Sequence, residues 1–293
     1  MGQTVRDPQD STIHDVSDTA LWVAHYRAQE TEREDSLFKD PFAKKLVGQR
    51  GEKIAKNMGS TSKYISWTLA IRTCIIDELI ENLISEGIDT IVNLGAGLDT
   101  RPYRMNLKSS ITWVEVDYPH MIDYKESLLS DEKPTCNLKR IRLDLSNRKE
   151  RQNLFKEIAG QSSNILAITE GVIPYLTQEQ VGELADDLCA IGSFRYWITE
   201  YFSSEVYKYI RTPRRMKQLK NAPFLFFPDD WLGFFKTHGW SAREIKYLGE
   251  ESLRLNRPMP APWWVVFLKF FISDEKIKKA NRFTGYCVFA RTN

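Results

Sequence analysis

Residues 90–101, Thr90-Ile91-Val92-Asn93-Leu94-Gly95-Ala96-Gly97-Leu98-Asp99-Thr100-Arg101, decide how this chain folds. The first five favour a short, buried strand because β-branched and aliphatic side chains fit a pleated surface. Gly95 and Gly97 then permit a tight turn and let a ligand approach the backbone, and Asp99 to Leu107 is expected to start a helix. Strand, glycine turn and helix, in that order, form the opening unit of a wound parallel sheet.

Outward from this unit the same rhythm repeats. Upstream, apolar residues from Trp67 through Leu69, Ile71, Ile75, Ile76, Leu79, Ile80, Leu83 and Ile84 recur at helical spacing until Gly87 stops them. Downstream, Ile111 to Val116 reads as a strand closed by Asp117, and Pro119 to Leu129 as a helix with proline in its first turn. Further strands are expected at Leu138 to Leu143, closed by Asp144, at Asn164 to Thr169, closed by Glu170, and at Phe194 to Thr199. Helical stretches at Asn147 to Ile158 and Gln178 to Ile191 separate them. Two last strands, near Glu244 to Leu248 and Gly285 to Ala290, would close the sheet as an antiparallel edge pair. The expected fold is α/β: a doubly wound, mostly parallel, seven-stranded Rossmann-like sheet with an antiparallel last strand and a helical cap.

The chain divides, on this reading, into an N-terminal helical cap (1–86), a cofactor-binding core (87–202), a substrate lid insertion that returns a strand to the sheet (203–265), and a C-terminal helix and strand (266–293), all in one domain. The lid begins where the strand–helix rhythm breaks, at Tyr201, into an aromatic and basic segment punctuated by Pro213, Pro223 and Pro228. Its rings, Phe224, Phe226, Phe227, Trp231, Phe234 and Phe235, suit either a lid core or an apolar substrate wall. The basic run Arg211 to Lys220 suits either an anionic acceptor or a solvated face.

Composition narrows the partners. Over 293 residues, 42% hydrophobic and 27% charged side chains are ordinary globular values and allow a sizeable core. The 41 Lys and Arg against 39 Asp and Glu give a net charge of only +2, which argues against an electrostatic grip on nucleic acid. Cys74, Cys136, Cys189 and Cys287 are too far apart in sequence for a CxxC pair, and His14, His25, His120 and His238 show no metal-ligand spacing, so no metal is expected. The longest apolar stretch, Ala261 to Ile272, is short for a bilayer and contains Lys269, so no membrane span is expected; it would be core, interface or lipid-facing. With no apolar export signal near its start, the chain is expected to be cytoplasmic.

In an open α/β sheet, ligands bind beyond the carboxyl ends of the strands, where the winding reverses. Asp117 lies 22 residues after Gly95 at such an end, where a carboxylate can accept ribose hydroxyls. Dinucleotide sites place a third glycine in this turn, but Thr100 stands there, which favours a nucleoside cofactor without a pyrophosphate.

Six strings carry a resemblance: ALWVAHYRAQETEREDSLFKDPFAKKL from residue 20, AIRTCIIDELI from 70, VNLGAGLDTRPYR from 92, WVEVDYP from 113, RLDL from 142 and ITEGVIPYLTQEQV from 168. Together the chain resembles the leucine carboxyl methyltransferase family of class I S-adenosylmethionine (SAM)-dependent methyltransferases, most of all its bacterial branch, over about residues 20 to 200. The resemblance implies that SAM is the cofactor and S-adenosylhomocysteine the product. It implies that Gly95, with Ala96 and Gly97, lies against the methionine moiety, that Asp117 and Tyr118 take the ribose side, and that Asp144 and Leu145 border the adenine. It further implies that Glu170, with Gly171, lies near the methionine amino group, that Arg72 holds the carboxylate, and that Arg27 is a second basic contact.

Each role has a plain structural counterpart. Arg72 suits a solvated helix face, Asp144 a helix cap, and Glu170 an ion pair. Arg101 and Arg104 suit pairing with nearby acids better than reaching a substrate. Tyr175 suits either the donor-methyl pocket, as the residue that positions the acceptor, or simple packing. The function expected is O-methylation of a carboxylate or hydroxyl on a small metabolite. The alternatives are a nicotinamide-dependent oxidoreductase and a non-catalytic SAM-binding protein.

Overall fold

The structure, a computed structural model, describes residues 16–57, 62–212, 223–260 and 273–292. At its centre β1 (Thr90–Leu94) is buried at all five positions. It pairs in parallel with β2 (Thr112–Asp117) on one side and with β4 (Ile165–Thr169) on the other. A strand buried along its whole length needs cover on both faces, and this one has it. Beyond β2 lies β3 (Asn137–Arg142), and beyond β4 lies β5 (Phe194–Phe202), both parallel. β7 (Thr284–Arg291) runs antiparallel between β5 and β6 (Trp240–Tyr247), giving the order β3-β2-β1-β4-β5-β7-β6. The winding reverses between β1 and β4, so a crevice opens at their carboxyl ends.

The helices are α1 (Val16–Thr31), α2 (Ala43–Asn57), α3 (Ser62–Ser85), α4 (Arg101–Arg104), α5 (Pro119–Leu129), α6 (Arg148–Ala159), α7 (Gln178–Cys189), α8 (Ser204–Ile210), α9 (Trp231–Thr237), α10 (Leu248–Arg254) and α11 (Asp274–Asn281). Successive strand residues point to opposite faces, and the two faces gather different helices. Ile91, Leu166, Ile168, Ile198 and Val288 pack with Ile71, Ile75, Leu79 and Ile80 of α3. Val92, Leu94, Val114, Ala167 and Trp197 pack with Phe155 of α6, Val181, Leu184 and Leu188 of α7 and Phe235 of α9. A third cluster joins Ala24 of α1 and Leu46 and Val47 of α2 to Leu98 and Tyr103, so the first two helices are seated on the glycine turn itself.

Three expectations are modified. The helix expected from Asp99 to Leu107 is a single turn, Arg101–Arg104; Met105 is already extended. The sixth strand begins at Trp240, and a register shift between Ala242 and Glu244 interrupts its pairing with β7. β7 lies inside the sheet and β6 is the edge, although both are antiparallel to their neighbours as expected. Pro213, most of the basic run Arg211 to Lys220, the stretch Ala261 to Ile272 and His14 lie outside the described residues. Among the described residues, no helix is long and apolar enough to cross a membrane.

Trp197 holds the second half of the sheet. It is fully buried, its indole donates from Nε1 to Thr169 Oγ1 at 2.9 Å, and it meets Phe235 and Trp240 edge to face at 5.2 and 5.7 Å. Trp197→Ala leaves a large cavity between sheet and helices, and its expected cost is about 3–5 kcal/mol. Chemical denaturation followed by circular dichroism should show a correspondingly lower midpoint; an unchanged midpoint would contradict this account of the core.

Candidate functional site

The glycine turn leaves β1 with Gly95 and Gly97 at φ of +72° and +48°, the left-handed region that side chains other than glycine's rarely adopt. A Cβ on Gly95 would also come within 2.5 Å of Val172 Cγ2, in the loop after β4. The turn therefore lies tight against its neighbour across the switch point. Its amides fasten it to β2: Gly95 N donates to Val116 O at 2.8 Å, and Gly97 N donates to Asp117 Oδ2 at 2.6 Å. Asp117 Oδ1 accepts from Tyr118 N at 2.7 Å. Both carboxylate oxygens keep a second lone pair for a ligand. Burial raises the Asp117 carboxyl above its usual range, opposed by these two amides. Tyr118, exposed, stacks on His120 beside it.

Behind the turn lies a buried network of four arginines and four acids. Arg101 is only 2% exposed. Its Nε meets Asp77 Oδ1 of α3 at 2.7 Å, while Nη1 meets Asp99 Oδ2 at 3.0 Å and Glu170 Oε2 at 2.7 Å. Arg104 holds the other oxygen of Asp77 at 2.6 Å. Arg72 Nε lies 2.9 Å from Glu170 Oε1. Arg27 donates to Leu98 O and lies 3.5 Å from Asp40 and 3.9 Å from Asp99. Thr100, fully buried, donates to Asp40 Oδ2 at 2.6 Å. The position where a dinucleotide site has its third glycine is thus filled by a side chain tied to the loop after α1.

These contacts set the surroundings of the expected site residues. Glu170 is held by two guanidinium groups; burial penalises its charge, yet Arg101 and Arg72 keep its carboxyl below the ordinary range. Asp99 is depressed further, with Arg101 the leading charge against the burial penalty. Arg27 is buried and belongs to this network, as do Arg101 and Arg104. Arg72 keeps 17% of its side chain exposed. Asp144 is exposed and accepts from Ser146 N at 2.9 Å, so it shapes the turn after β3, and Leu145 O accepts from Arg151. Gly171 has φ of +70°, and nothing lies within 4 Å of where its Cβ would be: the loop after β4 faces open space.

The acceptor side is aromatic. Tyr175 sits in a single 3₁₀ turn, Ile173–Tyr175; burial pushes its hydroxyl up to about 12, opposed mainly by Arg72. Phe224 meets Tyr175 edge to face at 5.2 Å and stacks near Phe202 at 6.3 Å. Leu225 N donates to Pro174 O at 2.7 Å, so the segment at 223–228 is pinned to this turn. The lid's rings divide accordingly: Phe226, Trp231 and Phe235 are buried core, whereas Phe224, Phe227 and Phe234 are only partly buried.

One residue escaped the sequence reading. Glu200, 4% exposed, stands at the carboxyl end of β5; it accepts from Gly171 N and, at 3.0 Å, from Thr199 Oγ1. The signal was present: Ile168-Thr169-Glu170 recurs as Ile198-Thr199-Glu200, and the pairing register sets Ile168 beside Ile198 and Thr169 beside Thr199. Glu170 follows the last residue of β4, and Glu200 lies within β5, two residues before its end.

Compared with known proteins, residues 20–189 match the model of the leucine carboxyl methyltransferase family. A protein of Mycobacterium avium named "Putative S-adenosyl-L-methionine-dependent methyltransferase" is 30% identical over 284 residues, covering 88% of this chain and 90% of the relative. One of the same name from Mycolicibacterium paratuberculosis is 30% identical over 287 residues, with the same coverage. Among solved structures, a DUF574 family protein from Streptomyces avermitilis superposes with a TM-score of 0.56 at 13% identity, over 92% of this chain and 97% of that one, which is a likeness of fold.

The network generates a stability prediction. Arg101→Met removes the charge that three carboxylates share and keeps an apolar stem, so the expected loss at pH 7 is about 3–5 kcal/mol. Glu170 and Asp99, depressed in the native state, contribute stability above their unfolded pKa values that is lost as pH falls through the folded ones. Without Arg101 that contribution shrinks, so the gap between wild type and variant should hold from pH 7 down to the ordinary carboxyl range and narrow as pH falls from about 4.5 towards 3. Urea titrations across this range check it; a gap that does not change with pH would sink the assignment.

Proposed function

The chain belongs to the leucine carboxyl methyltransferase family, and from that premise we infer that it is a SAM-dependent methyltransferase that O-methylates a carboxylate or hydroxyl of a small metabolite. The observation that carries the cofactor assignment is the crevice at the β1–β4 switch point. There the Gly95–Gly97 turn and the Asp117 carboxylate face the same opening, and Arg72 stands on its rim. The donor set fits SAM. Asp117 has free lone pairs for two ribose hydroxyls, Arg72 offers a partly exposed guanidinium for the methionine carboxylate, and the open space over Gly171 leaves room for the chain between them. Tyr118, Asp144 and Leu145 lie towards the adenine end, where loose, partly exposed side chains suffice for a flat ring. SAM supplies a methyl group on a positively charged sulfur.

The chain's own contribution is placement and exclusion of water. The N-terminal helices, seated on the glycine turn through Ala24, Leu46 and Leu98, close the donor side. Residues 223–228, pinned to the 3₁₀ turn, close the acceptor side, where Tyr175, Phe202 and Phe224 form an apolar wall. Tyr175 positions the acceptor oxygen. A carboxylate acceptor is already ionised near neutral pH and needs no base; a hydroxyl acceptor needs one.

Calorimetric titration tests this reading without knowledge of the acceptor. Wild type should bind S-adenosylhomocysteine saturably and NADH not at all. Asp117→Ala should weaken S-adenosylhomocysteine by about tenfold or more, because two hydrogen bonds to a charged acceptor are lost, with the unfolding curve otherwise preserved. Unchanged affinity in Asp117→Ala would overturn the assignment of the ribose site.

A further inference from the structure

A second buried network, separate from the arginines behind the glycine turn, lies beside the end of β2. Glu115 and Asp117 occupy alternate positions of that strand and so share a face of the sheet. α5 leaves β2 directly after Asp117 and Tyr118 and returns Lys125 to that face, where its Nζ donates to Glu115 Oε1 at 2.6 Å; both side chains are fully buried. Arg140, paired with Glu115 in the β2–β3 register, donates from Nε to Glu115 Oε2 at 2.9 Å and from Nη2 to the Tyr103 hydroxyl of α4 at 2.6 Å. Arg140 also has a partly exposed second acid, Glu126, at 3.9 Å. One buried acid, Glu115, is therefore met by two cations. Asp117 is the converse case: among the described residues it has no ion pair within 4 Å, and its two bonds come from neutral amides.

Anchoring α5 to the strand does not by itself require these charges. Two ions taken out of water carry a large desolvation penalty, and a well-packed apolar pair of similar volume holds a buried contact as well or better. We propose that Lys125 is a positioning residue for the nucleoside end of the site, its ammonium supplying Asp117 with the positive charge that no ion pair gives it. This role rests on the methyltransferase reading above and deepens it. As a carboxylate, Asp117 offers an acceptor lone pair on each oxygen beyond the two amides; once protonated, one of those oxygens becomes a donor and the fit to two ribose hydroxyls is lost.

The electrostatics agree. Burial raises the Asp117 carboxyl, the amides of Gly97 and Tyr118 oppose it, and Lys125 follows as the leading charge, ahead of His120. Lys125 also reaches Asp99 in the glycine turn, where burial is opposed first by Arg101 and next by Lys125. One ammonium thereby acts on the terminal acid of β2 and on the turn fastened to it. The charged and titratable groups around Asp117 are Lys125 and His120 on α5, Glu115 on β2, Arg140 on β3 and, in the turn, Asp99 with Arg101.

The experiment measures S-adenosylhomocysteine affinity by calorimetry from about pH 4.5 to 8 for wild type, Lys125→Met and Lys125→Gln, with the 2′,3′-dideoxy analogue of the same ligand as the second probe. Both variants keep an aliphatic stem in the site and leave Glu115 paired with Arg140, so both should unfold cooperatively. Lys125→Gln also keeps a neutral donor for Glu115. In wild type, affinity should fall with acid as Asp117 takes up a proton. Loss of the ammonium raises the Asp117 carboxyl further, so in both variants the fall should begin about one pH unit higher, with binding about tenfold weaker on the acid side and equal to wild type near pH 8. Wild type should prefer S-adenosylhomocysteine to the dideoxy analogue by about tenfold or more near pH 8, and this preference should fade along the same limb in each protein. A contribution from His120 is common to all three proteins and cancels in the comparison. Variant pH profiles that superimpose on that of wild type would overturn the proposal. So would equal weakening of both ligands at every pH, or loss of folding in both variants, either of which would make Lys125 only an anchor for α5. Equal binding of the two ligands by wild type would instead overturn the ribose role of Asp117, and absence of S-adenosylhomocysteine binding by folded wild type would overturn the methyltransferase reading beneath it.

Discussion

Arg101 is the constraint on which the site depends. One guanidinium, 2% exposed, joins α3 through Asp77, the glycine turn through Asp99 and the end of β4 through Glu170. These elements are distant in sequence, and the two strands involved flank the switch point. A buried ion that satisfied only one acid would be a liability; one that is shared among three, with Arg104 and Arg72 supplying the remaining charge, is fully compensated and fixes the elements at one separation. The single-turn length of α4 follows. Asp99 Oδ1 accepts from Arg101 N at 3.0 Å, and its other oxygen accepts from Asn93 Nδ2 and Arg101 Nη1, so Asp99 is held outside the helix that its position in sequence suggests.

The same balance of charge decides which groups remain for a ligand. Four arginines and four acids compensate one another behind the turn, and Asp117 stands outside that network, held by two backbone amides. A rigid ionic scaffold beneath a small set of unclaimed groups is an economical way to preorganise a donor site, because little has to reorder when the ligand arrives.

How much of this could be read from sequence follows from the range of each signal. The strands of the parallel core were legible because their apolar runs end in glycine or acid, as at Leu94-Gly95 and Val116-Asp117, and these are local features. The family likeness was legible for the same reason: its motifs, those around Asp117 and Arg72 among them, are contiguous. What failed to show was pairing across long separations. Arg27 reads as a loose basic contact from its neighbours, yet it meets Leu98, 71 residues away. Glu170 is expected beside an amine, and its two arginine partners, on α3 and α4, are not visible from its neighbours in sequence. Glu200 was hidden differently, since its Ile-Thr-Glu signature becomes meaningful only when β4 and β5 are set side by side in register.

The contrast between the two sides of the crevice bears on the chemistry. The donor side is built from directional contacts between charges, which fix a single ligand. The acceptor side is built from rings, Tyr175, Phe202 and Phe224, whose contacts depend on shape and area and carry little directional demand. In the proposed reaction a cationic sulfonium meets an oxygen that carries negative charge, and the charges cancel as the methyl group moves. An apolar wall disfavours the separated charges of the starting state more than the dispersed charge of the transition state, so an aromatic lining lowers the barrier as well as shaping the pocket. Thr100 fits the same division: where a dinucleotide site has its third glycine, its side chain is tied to Asp40 and joins the glycine turn to the loop after α1.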